Sequence, residues 1–211
     1  MSIRKYSLFT IIIYAIAFFL PAFFPVTRQA QITTWSYLLG AVFLILLYLQ
    51  QTKDLSFEKK KTPKGHIFIY GFVGIFAAIF LQNIAIQIEQ IFGVVPGSEN
   101  TENIVRIVLQ HPLFAIAAMI GGPIMEEFVF RRALVGFFDS FSKAWIGVIV
   151  SSLLFALIHQ DGHLLLYFSL GCFFCLLYMH TGKIWTSILT HAGMNSLVII
   201  VQILLQTTNN I

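Results

Sequence analysis

The chain has 211 residues, of which 58% are hydrophobic and only 10% are charged, and its mean hydropathy is +0.84. Soluble domains carry about a quarter charged residues, so the composition excludes a soluble globule and makes the lipid bilayer the solvent for most of the chain. The net charge of +4 does not indicate a nucleic-acid partner, because the basic residues lie in short segments between apolar runs and form no continuous basic face.

Seven apolar runs along the chain are predicted to cross the membrane as helices. They cover about residues 8–24, 35–49, 67–92, 112–138, 144–159, 163–180 and 184–206. Residues 50–66 are predicted to form a polar loop, and 93–103 a second loop before a short interfacial helix at 104–110. The predicted fold class is therefore all-α, a polytopic membrane helix bundle with about seven transmembrane helices, within a range of six to eight.

The distribution of Lys and Arg predicts the orientation of this bundle. With a cytoplasmic N-terminus, eleven of the 13 basic residues fall on the cytoplasmic side, and only Arg28 and Arg106 fall on the other side. This bias follows the positive-inside rule. We therefore expect an integral membrane protein with a cytoplasmic N-terminus and an external C-terminus.

The fourth apolar run contains two adjacent acids. An ionisable side chain inside a membrane helix costs about 2.5–3.5 kcal/mol on insertion scales, so it needs a partner, a cavity or a function. Glu127 and Arg131 share a helix face and can pair, whereas Glu126 points about 100° away. We predict that Glu126 is a base and Glu127 an orienting acid; the alternative is one ion-pair cluster of both acids with Arg131 and Arg132. Pro123 lacks an N–H and predicts a break in the helix just before the acids.

Two later runs add imidazoles. The fifth run ends at His159, one turn after Phe155, and the seventh carries Ser187, His191 and Asn195 on one helix face. A single histidine in a membrane is usually an interhelical hydrogen-bond partner. Together, a carboxylate, two imidazoles and an amide on three helices form the inventory of a hydrolytic site, with a base, its partners and an oxyanion donor.

The depths of the two histidines set a condition on this site. In straight, full-length helices His159 and His191 would be separated by about 10–15 Å in depth. A joint site therefore requires the fifth helix to stop within the membrane, with residues 160–162 lining a wet cavity. His111, His163 and His180 lie near predicted interfaces, and we expect them to be solvated and not catalytic.

The ordered set Glu126-Glu127-xxx-Arg131, Phe155-xxx-His159 and His191-xxx-Asn195 resembles the three motifs of the CPBP family of intramembrane proteases, also called the Abi family. The family comprises CAAX prenyl proteases and bacteriocin-processing enzymes. The resemblance covers about residues 112–200 and implies two regions: N-terminal transmembrane helices and loops at 1–111, and a catalytic helix bundle at 112–211.

The resemblance also implies a function. It implies an endopeptidase of a bacterial plasma membrane that cleaves membrane-associated peptides, whether lipidated, leader or bacteriocin-like, by intramembrane proteolysis. Glu126 and His159 would activate a water molecule, and His191 and Asn195 would stabilise the oxyanion. The supporting residues would be Glu127, Arg131 and Phe155.

Two alternatives stay open at this point. Glu126, His159 and His191 are also a ligand set of the type used by catalytic zinc, but no HExxH helix enforces it, so we favour no metal and no other cofactor. The second alternative is a non-proteolytic membrane scaffold or bacteriocin-immunity protein of the same fold, which would bind a membrane-protein or cell-wall-enzyme partner. In either case the expected partners are the lipid bilayer and a membrane-associated peptide or protein, and no nucleic acid.

Overall fold

A computed structural model describes residues 1–50 and 53–208, and in that part of the chain every regular element is helical. The helices are α1 (Ile3–Phe19), α2 (Val26–Leu49), α3 (Lys64–Ile91), α4 (Glu99–Gln110), α5 (114–139), α6 (Ala144–His159), α7 (Leu164–Thr181) and α8 (Ile184–Thr208). A 3₁₀ turn, Leu20–Phe23, extends α1. The predicted all-α class is confirmed.

Five of these helices are long and apolar enough to cross a membrane: α1 with its extension, α2, α3, α7 and α8. α6 is apolar but has only 16 residues, and α5 carries the charged motif. The predicted membrane helix bundle is confirmed, and the two predicted spans that fall short of full apolar crossings are the ones that carry Glu126 and His159.

The first four helices begin earlier than the hydropathy pattern predicts, and α2 and α4 illustrate why. α2 begins at Val26, directly after Pro25, although its first turns are polar. α4 begins at Glu99, because the Ser98 side chain caps it by accepting the Thr101 N–H at 3.1 Å. A proline before α2 and a capping serine before α4, and not apolarity, therefore mark these two boundaries.

The predicted polar loop packs against the bundle; its residues 51 and 52 lie outside the described residues. Glu58 is buried and accepts hydrogen bonds from Arg132 at 3.0 and 2.9 Å and from the Tyr178 hydroxyl at 2.5 Å. The alternative of one cluster containing both arginines is therefore wrong, since Arg132 pairs with the loop and not with the acids of its own helix.

Small residues let the helices that carry the site approach closely. A Cβ added to Gly71 of α3 would lie 2.6 Å from the Leu189 side chain of α8, and one added to Gly171 of α7 would lie 2.9 Å from the Ser152 backbone of α6. The Thr190 hydroxyl donates to the Gly71 carbonyl at 3.0 Å. Such contacts are the usual means of holding membrane helices in register, and they fix the α8 face that carries His191 and Asn195.

The two predicted regions share one buried core. Leu44 of the first region and Met125 of the second belong to the same hydrophobic cluster. The boundary near residue 111 stays a prediction.

Candidate active site

α5 contains two π-helical stretches that frame the acids. It runs as Phe114–Ile116 (α), Ala117–Gly121 (π), Gly122–Glu126 (α), Glu127–Leu134 (π) and Val135–Asp139 (α). The break predicted at Pro123 is instead a wide turn, in which the Gly122 N–H donates to the Ala117 carbonyl five residues back. A wider turn relieves the clash between a proline ring and the carbonyl four residues before it, and such turns recur at functional sites.

Glu127 lies at the centre of a fully buried ion pair. Its Oε1 is 3.4 Å from Nε of Arg131 and 2.8 Å from Nδ1 of His191, and the Glu127 and Arg131 side chains are both 0% exposed. The Arg131 guanidinium lies 4.2 Å from the Phe155 ring centroid and 5.1 Å from that of Phe174. The predicted pair of Glu127 with Arg131 therefore forms, and Phe155 supports it by covering the cation.

His191 lies between the two acids of α5. Its Nδ1 faces Glu127, and its Nε2 lies 3.7 Å from Oε2 of Glu126. A carboxylate only accepts hydrogen bonds, so Nδ1 carries the proton and donates it to Glu127. The ring stacks on Phe174, with centroids 4.6 Å apart and planes 19° apart. His191 is therefore held in one orientation, with Nε2 directed toward Glu126.

His159 is the last residue of α6. Its Nδ1 lies 2.7 Å from the Phe155 carbonyl, which can only accept, so Nδ1 donates and Nε2 of the neutral ring is free to accept. The imidazole stacks on the Tyr167 ring, with centroids 3.8 Å apart and planes 22° apart. Gln160 then turns the chain with a left-handed backbone at φ 51°, which ends the helix.

The four predicted site residues border two adjoining cavities. The histidine cavity, of about 200 Å³, is lined by His159, His191 and Asn195; the glutamate cavity, of about 380 Å³, is lined by Glu126, His159 and Asn195. His159 and Asn195 therefore mark the place where the cavities meet. The His159 and His191 rings both contact Phe155, at centroid distances of 4.6 and 5.9 Å, so the early end of α6 removes the depth difference expected for straight helices.

One detail of that expectation is wrong. Residues 160–162 line neither cavity. Asp161 instead turns away to accept hydrogen bonds from the Ser98 hydroxyl at 2.7 Å and the Tyr167 hydroxyl at 2.8 Å. The wall next to His159 is formed by Ser98, Tyr167 and His163.

Sequence reasoning missed the role of α4. Asn100 and Ile104 of this helix line both cavities, and Ile107 lines the glutamate cavity. The signal was present in the sequence, because Asn100, Ile104 and Ile107 recur at helical spacing and share one face of α4. We call α4 the roof of the site.

The residues of the zinc alternative do not fit a metal ion in this geometry. Within residues 1–50 and 53–208, no three His, Cys, Asp or Glu side chains are grouped so that they could hold one. The Nδ1 atoms of His159 and His191 bond to Phe155 and Glu127, which leaves both Nε2 atoms available, so the case against a metal ion rests on the grouping alone. The metal-free preference stays a prediction.

His163 is not solvated, which corrects the expectation for this residue. It is 3% exposed, and its Nδ1 lies 2.7 Å from Glu89 while its Nε2 lies 2.6 Å from the Gly97 carbonyl. Both partners accept, so both ring nitrogens donate and the ring is an imidazolium. Burial lowers the pKa of His163, but the hydrogen bonds to Glu89 and Gly97 outweigh it and raise the pKa above its ordinary value. His163 thus clamps the loop before the roof to the end of α3.

We expect this clamp to weaken as the pH rises. Because the folded-state pKa of His163 is raised, its stabilisation is fully present below the unfolded pKa of about 6.5 and is lost as the pH rises through the folded value. Hydrogen bonds to charged groups contribute about 1.5–3 kcal/mol. Amide exchange at Gly97 and Ser98, corrected for the intrinsic rate, should therefore accelerate above neutral pH.

The variant His163→Gln provides the comparison for the clamp. In His163→Gln the amides of Gly97 and Ser98 should exchange rapidly at every pH, without the acceleration above neutral pH that is expected of the wild type. The exposed His180 offers a matched control, and His180→Gln should show the same acceleration of amide exchange as the wild type. If His163→Gln shows an acceleration of unchanged size, a group other than His163 causes it.

Comparisons with known proteins identify a family and two relatives. Residues 108–197 match the family described as Type II CAAX prenyl endopeptidase Rce1-like. The chain is 34% identical over 170 residues to YdiL of Bacillus subtilis (strain 168), a protein described as a membrane peptidase, covering 80% of this chain and 70% of YdiL. It is 31% identical over 221 residues to the membrane-embedded CAAX protease MroQ of Staphylococcus aureus (strain USA300), covering 94% of this chain and 89% of MroQ. No solved structure gives a significant match.

The all-helical membrane bundle, with its matches to a prenyl endopeptidase family and to two membrane peptidases, places the chain in the class of integral membrane proteases. The chain belongs to the CPBP family of membrane CAAX proteases, as the resemblance of its three motifs predicts.

Proposed function

We propose that this protein is an intramembrane endopeptidase of the bacterial plasma membrane, with a cytoplasmic N-terminus, that hydrolyses a peptide bond of a membrane-associated peptide with a water molecule activated by Glu126. The observation that carries the proposal is the difference between the two acids. The Glu126 side chain is 19% exposed and borders the glutamate cavity, whereas Glu127 is 0% exposed and is committed to Arg131 and His191. Only Glu126 of the two acids can touch a water molecule.

In the proposed reaction the water oxygen attacks the carbonyl carbon of the scissile peptide bond. Glu126 takes a proton from this water, which makes the attacking oxygen nucleophilic. Nε2 of His159 accepts the second hydrogen of the same water and orients it, since this nitrogen is free in the neutral ring. The C–N bond then breaks, and the proton held by Glu126 passes to the leaving amine, so that the site returns to its starting state.

The oxyanion of the tetrahedral intermediate is proposed to lie between His191 and Asn195 of α8. The Asn195 amide can donate in any protonation state, whereas Nε2 of His191 donates only when the ring carries both protons. At this stage Glu126 holds the proton taken from water, so the Glu127 carboxylate at 2.8 Å from Nδ1 compensates the charge of that doubly protonated ring. Glu127, Arg131 and Phe155 then act through His191, by fixing its orientation.

The variant Asn195→Ala tests the oxyanion role. Loss of one oxyanion donor lowers kcat by about 10²- to 10³-fold in proteases where it has been measured, and we expect a similar loss here, with KM little changed, in a continuous assay of peptide cleavage. Asn83 of α3 is exposed and bonds only its own helix, at 2.8 Å to the Ile79 carbonyl, so Asn83→Ala serves as the matched control. A kcat of wild-type size in Asn195→Ala would remove this residue from the reaction.

The activity itself is tested with purified protein in lipid nanodiscs. The probes are a farnesylated peptide ending in a CAAX sequence, an unlipidated leader peptide and a hydrophobic bacteriocin precursor, each with a fluorophore and a quencher on opposite sides of the expected cleavage position. We expect at least one probe to be cleaved, with a new N-terminus visible by mass spectrometry. The cleavage rate should be the same before and after the protein is treated with a chelator. Failure to cleave any of the three would contradict the proposal, and loss of activity to the chelator with recovery on adding zinc would overturn the metal-free mechanism.

A further inference from the structure

The imidazole of His159 is held by an aromatic ring from a neighbouring helix. Its hydrogen bond to the Phe155 carbonyl is made within α6 itself. The face of the ring is covered by Tyr167 of α7, at a centroid distance of 3.8 Å and an interplanar angle of 22°. Rotation of the imidazole would break this stacking, so Tyr167 sets the direction in which Nε2 points.

Tyr167 is in turn fixed at its hydroxyl end. The hydroxyl donates to Oδ2 of Asp161 at 2.8 Å, and the Ser98 hydroxyl donates to the same oxygen at 2.7 Å. Ser98 is also the N-cap of α4, where it accepts the Thr101 N–H at 3.1 Å. One carboxylate oxygen therefore connects the ring that holds His159 to the N-cap residue of the roof.

The roof borders both cavities of the site. Asn100 and Ile104 line both cavities, and the cavities meet at His159 and Asn195. A peptide that occupies both cavities lies against α4 on one side and against His159 on another. The contacts of Ser98, Asp161 and Tyr167 connect the start of α4 to His159.

We propose that Tyr167 is a positioning residue for His159 and that Asp161 couples the Tyr167 ring to the roof helix α4. The inference rests on the proposed function in one respect, namely that His159 orients the attacking water. Tyr167 itself does not take part in bond breaking. While α4 lies over the cavities, Tyr167 keeps Nε2 of His159 directed at the cavity.

Three variants separate the parts of this arrangement. Tyr167→Leu removes the ring, Tyr167→Phe keeps the ring and removes the hydroxyl, and Asp161→Ala keeps both and removes their anchor. Misplacement of a positioning group by about 1 Å costs up to about 10²-fold in rate, so we expect Tyr167→Leu to lose kcat to that extent with KM little changed. Tyr167→Phe should show a smaller loss, and Asp161→Ala a loss at least as large as that, because it also releases Ser98. The double variant Tyr167→Phe/Asp161→Ala should be no worse than Asp161→Ala alone, because both changes cut the link between Tyr167 and Asp161.

A second measurement does not depend on activity. Diethyl pyrocarbonate modifies neutral imidazoles, and the rate at His159 can be followed by mass spectrometry. Loss of the covering ring in Tyr167→Leu should raise this rate several-fold, and Tyr167→Phe should restore a rate close to that of the wild type. Tyr70 gives a matched control, because its ring contacts His180 at 5.2 Å and its replacement by Leu should leave His159 unchanged.

The outcomes separate this inference from the proposed function. An unchanged kcat together with an unchanged modification rate at His159 in Tyr167→Leu would overturn the role of Tyr167. Additive losses in the double variant would overturn the link through Asp161. If no probe peptide is cleaved but the modification rates follow the expected order, the proposed function fails while the positioning of His159 by Tyr167 stands.

Discussion

Replacement of Glu126 by Gln is expected to lower kcat for the cleaved probe peptide by about 10²- to 10⁴-fold, the range that general-base groups contribute. The amide cannot take a proton from water, yet it has nearly the same size and still reaches the glutamate cavity. Because Glu126 is partly exposed and its contact with His191 is long, at 3.7 Å, the free energy of unfolding should change little. The measurement is initial rate against peptide concentration, with thermal unfolding recorded on the same preparation.

The exposed Glu99 at the start of α4 provides the control, since Glu99→Gln makes the same chemical change outside the cavity lining. Glu99→Gln should keep the wild-type rate.

The variant Glu126→Gln also tests the scaffold and immunity alternatives. If the folded variant retains the full cellular phenotype, that phenotype does not need hydrolysis. Retention of kcat in the purified variant would remove Glu126 as the base.

The local part of the site could be predicted from the sequence. Helical spacing places Glu127 and Arg131 on one face and Glu126 on another, and the structure shows the pair and the separation. The same periodicity aligns His191 and Asn195 on α8. These relations depend on residues within one turn of each other, so they survive the two π-helical stretches of α5 that the sequence pattern did not predict.

The remaining contacts depend on which helices become neighbours, and hydropathy does not carry that information. Arg132 is adjacent to Arg131, yet its partner Glu58 is 74 residues away. His163 likewise binds Glu89 across 74 residues. Both were assigned to solvent or to the wrong cluster because an apolar pattern indicates only that a segment is buried; the choice of partner is made by tertiary packing.

Loss of the Arg131 charge is expected to have the largest effect on stability. Removing one member of a buried ion pair costs about 3–5 kcal/mol, because the other charge is left unpaired. Arg131→Met should therefore lower the free energy of unfolding by about that amount, and Glu127→Gln should have an effect of similar size and also weaken activity by releasing His191. Arg28→Met changes an exposed arginine of α2 and should have no measurable effect.

The double variant Glu127→Gln/Arg131→Met decides whether the pair serves the fold or the site. Within the described residues, Nη1 and Nη2 of Arg131 have no hydrogen-bond acceptor, so the aromatic rings of Phe155 and Phe174 compensate the charge only in part. Replacing a buried pair of this kind by uncharged groups is often neutral or stabilising. We therefore expect the double variant to recover most of the lost unfolding free energy while kcat stays low, because His191 has lost the charged acceptor that holds Nδ1. If the double variant recovers both the free energy of unfolding and kcat, Glu127 and Arg131 only fill space. If it recovers the free energy of unfolding alone, the chain keeps a buried ion pair to orient His191.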